Sequence, residues 1–133
     1  MYIDNKTIII TDPCYITPNS SDWYECKFGE NMESLGFTNY ITSNTIYGDW
    51  SCTTYEQETG KVLGEFCADA GTVGVFELDE VLKYNPEFDY HINRPWTTTV
   101  IPNFTGEVNI VREDVVSVVG TGSINFYTKQ TGA

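Results

Sequence analysis

The sequence predicts an all-β or β-dominated α+β fold, a single-domain antiparallel sandwich or barrel of about eight short strands with one or two short helices. Three observations point to it. Ile8-Ile9-Ile10 is an unbroken β-branched run, residues 45–56 alternate well, and Gly, Pro or Asp recurs between the strand-like segments. A length of 133 residues predicts one domain, residues 1–133.

Residues 6–11 are the first predicted strand, buried on both faces because its apolar run is continuous. Pro13 ends it. Asp22 and Glu25 form a helix-capping pair, and Gly29 is typical of a helix C-terminus. Residues 23–28 are therefore predicted to be helical.

The middle of the chain indicates a three-stranded meander followed by a short helix. The elements are the strands 45–56, 61–68 and 72–78, the turns Thr59-Gly60 and Asp69-Ala70-Gly71, and a helix over 79–84. In the first of these strands Trp50 and Cys52 share one face and Asp49 and Ser51 the other, because side chains alternate along a strand.

A long ordered loop and four more strands are predicted for the rest of the chain. The loop covers residues 85–95, and the strands are 96–101, 107–112, 115–119 and 123–127. Gly120-Thr121-Gly122 is predicted to be a hairpin turn, because a phosphate-binding loop needs a different spacing. The last few residues are predicted to fray.

The charge of the chain excludes two function classes. Nineteen acidic residues against seven basic ones give a net charge of −12. This argues against non-specific binding of nucleic acid or an anionic membrane, because neutralising phosphates requires Lys and Arg. Two interpretations remain: a solubilising surface, or an acidic face that binds a basic protein or mimics nucleic acid.

The four cysteines indicate reduced thiols. Cys14, Cys26, Cys52 and Cys67 include no C-x-x-C pair, and the chain has one His, so they make a poor zinc set. The N-terminus lacks the features of an export signal, and no apolar run is long enough to span a membrane. We therefore expect a cytoplasmic protein with four free cysteines.

Three aspartates occupy strand ends or turns. Counting back from the Thr59-Gly60 turn places Asp49 close to Asp69, and Asp12 joins them if the first strand is a neighbour. Clustered carboxylates can bind Mg²⁺ or Ca²⁺ or share a proton. The alternative is turn chemistry, in which Asp accepts hydrogen bonds from the backbone.

Cys14 has two interpretations as well. A cysteine nucleophile needs a base, and His91 is the single candidate, with an Asp to orient it. The alternative is a buried, inert thiol.

The segment Arg94-Pro95-Trp96-Thr97-Thr98-Thr99 is the main candidate for a binding site. A guanidinium, an indole and three hydroxyls are the parts that would bind a planar, phosphorylated ligand. The alternative is that Trp96 anchors the loop in the core and Arg94 pairs with one of the many acids.

Several motifs together carry a resemblance to a known group of proteins. They are Asp12-Pro13-Cys14-Tyr15, Tyr47-Gly48-Asp49-Trp50, Cys67-Ala68-Asp69-Ala70-Gly71 and His91-Ile92-Asn93-Arg94-Pro95-Trp96. The chain resembles a family of small uncharacterised proteins of phages and gut bacteria. The resemblance implies a phage or prophage accessory protein that acts in the host cytoplasm, and it transfers no catalytic residue or cofactor.

The expected function is binding without catalysis. The first hypothesis is a protein that sequesters a small nucleotide-like ligand, which by analogy with other phage accessory proteins would counter host defence signalling. The expected ligand-binding residues are Tyr15, Asp49, Trp50, Asp69, His91, Arg94, Trp96, Thr97 and Thr98. The alternatives are an acidic inhibitor of a host protein and a metal-dependent hydrolase using Asp12, Asp49 and Asp69. The sequence is also compatible with a homo-oligomer.

Overall fold

The computed structural model describes residues 1–45, 48–94 and 96–132. The strands are β1 (Tyr2–Thr11), β2 (Tyr40–Asn44), β3 (Trp50–Glu56), β4 (Val62–Ala68), β5 (Thr72–Glu77), β6 (Thr98–Arg112), β7 (Val116–Gly122) and β8 (Phe126–Gly132). The helices are α1 (Ser20–Glu25), α2 (Leu78–Tyr84) and α3 (Asp89–Ile92), with single 3-10 turns at Pro13–Tyr15, Met32–Leu35 and Pro86–Phe88.

All eight strands belong to one antiparallel sheet, in the order β2-β5-β1-β6-β7-β8-β3-β4. The β-dominated fold class predicted from the sequence is confirmed. The prediction that the isoleucine run is buried on both faces is also confirmed, because Ile8 and Ile10 pack in one core cluster and Ile9 packs in another.

The larger core lies inside the curled sheet. It contains side chains from every strand except the edge strand β2, which contributes the partly buried Ile41. The other edge strand, β4, folds against β6: a Cβ on Gly64 would lie 3.1 Å from Thr99 Cγ2. A side chain at position 64 would push the two strands apart, so this glycine permits the sheet to curl.

The smaller core lies on the outer face of β1 and β5. Ile9 and Phe76 project from the strands and are covered by the helices and 3-10 turns, which contribute Met32, Val81 and Phe88 among others. The helices therefore close one face of the sheet, and they bring the segment around α3 to the end of β1.

A kink divides β6 into two halves. Asn103 has φ of 50° and Gly106 has φ of 150°, and the β1–β6 register shifts around Lys6. A Cβ on Gly106 would lie 2.2 Å from the carbonyl oxygen of Thr121, so no larger residue fits there. The kink turns the second half of β6 toward β2.

Two predictions about strand pairing are wrong or incomplete. The predicted meander is correct for the β3–β4 hairpin, but β5 pairs with β1 and β2 rather than with β4. Strand β2 was not predicted, because an edge strand with one aliphatic side chain gives no clear alternation. The predicted strands 96–101 and 107–112 form one strand, β6, since the kink accommodates Pro102 and Gly106 without ending it.

Other strand boundaries in the structure differ from the predicted ones because of local contacts. Gly120-Thr121-Gly122 ends β7 in register with β6, and the turn follows it, where the Gly122 amide donates to Asn125 Oδ1 at 3.1 Å. The predicted fraying does not extend to residues 126–132, which pair with β3. The predicted strand 45–56 begins as β3 at Trp50, and Ile46, Tyr47 and Pro95 of the predicted elements lie outside the described residues.

Candidate functional site

Asp12 organises the turn that precedes β5. Its buried carboxylate accepts from the amides of Cys14 at 2.9 Å, Ala70 at 2.7 Å and Thr72 at 3.3 Å. Burial raises the pKa of this carboxyl, and the three amide donors oppose that shift. Turn chemistry therefore accounts for Asp12, and it ties the end of β1 to the start of β5.

Asp69 lies in the same turn and is linked to Tyr15. The Tyr15 hydroxyl donates to Asp69 Oδ2. Burial and this hydrogen bond to a carboxylate both raise the pKa of the phenol. We call Asp12, Tyr15, Asp69, Ala70 and Thr72 the Asp12 turn cluster.

Asp49 lies beside this cluster but is exposed. Trp50 pairs with Ala68 in the β3–β4 ladder, which places Asp49 next in register to Asp69. Across the described residues, no group of three His, Cys, Asp or Glu side chains is placed to hold one metal ion. The carboxylate oxygens of Asp12 are directed at backbone amides instead.

Tyr15 connects the Asp12 turn cluster to α3. Its ring lies 4.9 Å from the His91 ring, which also contacts the rings of Phe88 and Tyr90. His91 Nδ1 is buried and has no hydrogen-bond partner. Burial and the nearby Arg94 charge lower the pKa of His91, so the imidazole is neutral near pH 7.

The Arg94 guanidinium contacts two aromatic rings. Its guanidinium carbon lies 5.0 Å from the Tyr90 ring centroid and 4.4 Å from the Trp96 ring centroid. One guanidinium nitrogen donates to the Tyr90 hydroxyl at 2.7 Å. Within the described part of the chain, no carboxylate is within ion-pair distance of Arg94. We call Tyr90, Arg94 and Trp96 the arginine stack.

The two tryptophans singled out by the sequence occupy opposite environments. Trp96 is 44% exposed, so the alternative in which it anchors the loop in the core is wrong. Trp50 is 4% exposed and belongs to the larger core. Of the two indoles, only Trp96 presents a ring to the solvent.

The threonines after Trp96 face inward. The Thr97 hydroxyl donates to the carbonyls of Arg94 at 2.9 Å and His91 at 3.2 Å. The Thr98 hydroxyl bonds that of Thr11 at 3.2 Å. Both side chains are buried, so they fix the shape of the loop and are not directed at its outer surface.

The thiol of Cys14 is a poor nucleophile in this setting. Burial and the neighbouring carboxylates of Asp12 and Asp69 raise its pKa. The ring contacts of His91 are with Tyr15, Phe88 and Tyr90. The geometry therefore favours the inert-thiol interpretation, and all four cysteines are free.

A shallow depression adjoins the arginine stack. Its volume is about 440 Å³, and Tyr15, Thr17, Glu87, Tyr90 and His91 are among its lining residues. The depression thus brings together segments near residue 15 and residue 90. Of the sequence-predicted site residues, Tyr15 and His91 line the depression, and Arg94 and Trp96 lie beside it through the contact of Arg94 with Tyr90.

Sequence reasoning missed Tyr90. It is 61% exposed and forms one side of the arginine stack. Its spacing of four residues from Arg94 places the two side chains on one face of a helical turn, and that spacing was a usable signal.

Comparison of the chain with known protein families, curated proteins and solved structures found no match. Over residues 1–45, 48–94 and 96–132, no helix is both long and apolar enough to cross a membrane.

Proposed function

We propose that this protein binds, without chemically altering it, a planar ligand that carries a phosphate or a similar anion, and that the arginine stack is its binding site. A nucleotide-like molecule has both parts. Sequestration of such a ligand in the cytoplasm of a phage-infected host is the role that the family resemblance suggests.

The observation that supports this proposal is the unpaired, pre-oriented cation. Arg94 is one of only seven basic residues beside nineteen acids, yet no acid pairs with it in the described chain. Two ring contacts and a hydrogen bond to the Tyr90 hydroxyl hold its guanidinium in position. A pre-organised guanidinium loses less conformational entropy when it forms a bidentate contact with an oxyanion.

The exposed rings supply the second half of the recognition. Trp96 and Tyr90 are 44% and 61% exposed beside that cation. Stacking of a base on an aromatic side chain contributes roughly 1–3 kcal/mol. A ligand that places its anion on Arg94 and its ring on Trp96 would use both groups at once.

Electrostatics restrict where the anion can lie. The net charge of −12 and the Glu87 carboxylate in the adjoining depression repel a phosphate. The anion is therefore expected at Arg94, and the uncharged part of the ligand in the depression. Salt has opposing effects on such binding, because it screens the long-range repulsion and the direct contact alike.

Binding is favoured over hydrolysis by the state of the catalytic candidates. Asp12 is directed at backbone amides, Cys14 has a raised pKa, and Asp49 is exposed beside Asp69 without forming a metal-ligand group in the described residues. Asp12 stabilises a turn, which needs no reaction.

Isothermal titration against a panel of mononucleotides, dinucleotides and cyclic nucleotides tests the proposal. We expect binding of at least one ligand to weaken by roughly 1–3 kcal/mol in Trp96→Ala and to weaken in Arg94→Lys, since Lys lacks the planar fork. Lys129→Ala is the control, because it removes one positive charge from an exposed side chain outside both the arginine stack and the depression beside it. Equal affinity of Arg94→Ala and wild type for every ligand would contradict the proposal.

A protein partner is the second candidate. Tyr, Trp and Arg are the residue types that dominate protein interfaces, and a further exposed aromatic pair, Tyr24 and Phe28, lies 5.4 Å apart on another segment. If the nucleotide panel gives no heat and Tyr24→Ala reduces capture of a host protein while Arg94→Ala does not, the aromatic pair is the interface.

A further inference from the structure

A second concave site lies between β2 and the last residues of β6. The cleft has a volume of about 590 Å³. Ile41 and Ile110 line it and also pack against the larger core, so the cleft has an apolar floor continuous with the protein interior. Its rim includes Asn44, Glu30 and Arg112. None of its lining residues lines the depression beside the arginine stack.

The cleft lies where two described strands of the curled sheet face each other without pairing. Strand β2 is an edge strand, and the kink at Asn103 and Gly106 turns the second half of β6 toward it. Within the described residues no ladder joins β2 to β6. A strand edge that faces a cleft leaves its outward amides and carbonyls open to an added strand.

The alternation of hydrogen-bonded residues along β2 identifies which main-chain groups point away from β5. The Thr45 amide donates to the Gly71 carbonyl at 2.7 Å, so residues 43 and 41 are the next to bond β5. The main-chain groups of Tyr40, Thr42 and Asn44 consequently point away from β5. Thr42 and Asn44 line the cleft, and their outward amides repeat at the two-residue spacing of a strand partner. The Asn44 carbonyl accepts from the Ser43 hydroxyl at 3.1 Å and has a second lone pair for an added strand.

The charges of the rim match the two ends of a short peptide. Arg112 has no acid within ion-pair distance in the described chain, and Glu30 is likewise without a cationic partner there. One unpaired cation and one unpaired anion fit a free carboxylate and a free amine. Strand β2 is uncharged from Tyr40 to Asn44, so it does not repel an incoming chain.

We propose that this cleft binds a short, extended, free peptide, which adds to β2 through the main chain of Thr42 and Asn44 and places its carboxylate at Arg112. The interaction is non-covalent and independent of the arginine stack. Apolar peptide side chains would contact Ile41 and Ile110.

The test uses ¹⁵N-labelled full-length protein and tetrapeptide libraries with randomised side chains. A library with a free amine and carboxylate is compared with one that is acetylated and amidated at its ends. We expect the free library to shift the amide resonances of Thr42 and Asn44, the capped library to bind more weakly, and Arg112→Ala to abolish the difference caused by the carboxylate. Absence of shifts at Thr42 and Asn44 with the free library overturns the proposal.

Proline substitutions test the strand-addition geometry directly. Thr42→Pro removes an amide that points into the cleft and should weaken peptide binding by at least about tenfold while the β2–β5 ladder stays intact. Thr42→Val is its matched control, because it keeps the amide and the side-chain shape. Ser43→Pro should destabilise the protein, since that amide bonds β5. If Thr42→Pro is folded and binds the peptide library like Thr42→Val, main-chain pairing with β2 is excluded.

Discussion

The Asp12 turn cluster and the arginine stack lie side by side and differ in what their polar groups do. In the cluster, the carboxylates of Asp12 and Asp69 accept hydrogen bonds from amides and from Tyr15. In the stack, the Arg94 guanidinium contacts two exposed rings and no carboxylate of the described chain.

The difference separates a scaffold from the proposed binding surface. A buried polar group whose hydrogen bonds are all internal stabilises the fold, and it has nothing left to offer a ligand. A cation held in place by exposed rings has been ordered without being neutralised. Unused hydrogen-bonding capacity is therefore the feature on which the proposed function depends.

The largest expected effect is the difference in unfolding free energy between variants of Trp50 and Trp96. Trp50→Ala should cost about 3–5 kcal/mol of unfolding free energy, because it empties the core. Trp96→Ala should change stability by less than about 0.5–1 kcal/mol, because the indole is half exposed. Urea unfolding followed by circular dichroism measures both. Equal losses in the two variants would place Trp96 with the scaffold.

Removal of the Asp12 carboxylate is the next largest effect. Asp12→Ala should cost about 2–4 kcal/mol, because the amides of Cys14, Ala70 and Thr72 lose their acceptor in a buried site. Asp12→Asn keeps one acceptor oxygen and should cost less. Thermal unfolding compares the two variants with Asp49→Asn, which changes an exposed carboxylate and should be close to neutral. A neutral Asp12→Ala would refute the scaffold role.

Tyr15 belongs to the Asp12 turn cluster and also lines the depression beside the arginine stack, and a smaller effect is expected there. Tyr15→Phe should cost about 1 kcal/mol by removing the hydrogen bond to Asp69. Tyr84→Phe is the matched control, because it removes the equivalent bond to Asp22 at a site away from the depression. If Tyr15 also lines the binding site, Tyr15→Phe changes ligand affinity and Tyr84→Phe does not. Identical ligand affinity for both variants would confine Tyr15 to the scaffold.

The smallest effect is the pH dependence from His91. Its folded pKa lies below 6.5, so the unfolded chain binds more protons as the pH falls through that value. The free energy of unfolding should therefore decrease as the pH is lowered from 7.5 to 6. The decrease should be smaller in His91→Gln. The raised pKa of Asp12 gives a slope of opposite sign, but wild type and variant share it. Parallel stability curves would show that His91 does not titrate differently on folding.

The sequence was informative where pairing is local. The β3–β4 hairpin followed from Thr59-Gly60. The short helix before Pro86 was also predicted, although its N-cap is Glu77, which forms no side-chain cap hydrogen bond, and the expected cap Asp79 lies in its first turn. The sequence was uninformative where partners are distant: β5 pairs with β1 across more than sixty residues, and no local signal specifies that choice.

The candidate site shows the same division. The composition of the segment Arg94–Trp96 indicated a guanidinium beside an indole, and the structure places them 4.4 Å apart. The approach of Tyr15 to His91 is tertiary, and nothing near either residue predicts it. The inward orientation of Thr97 and Thr98 likewise depends on bonds to Thr11 and to the loop carbonyls.

Strand β1 has a consequence for the kinetics of folding. It supplies Ile8 and Ile10 to one core and Ile9 to the other, and its ladder partners range from Gly74 to Glu107. The β3–β4 and β6–β7 hairpins can close early, because their strands are near neighbours in the chain. A central strand whose partners lie so far away enters late, and such topologies fold in milliseconds to seconds. We therefore expect docking of β1 to complete both cores in one slow, cooperative step.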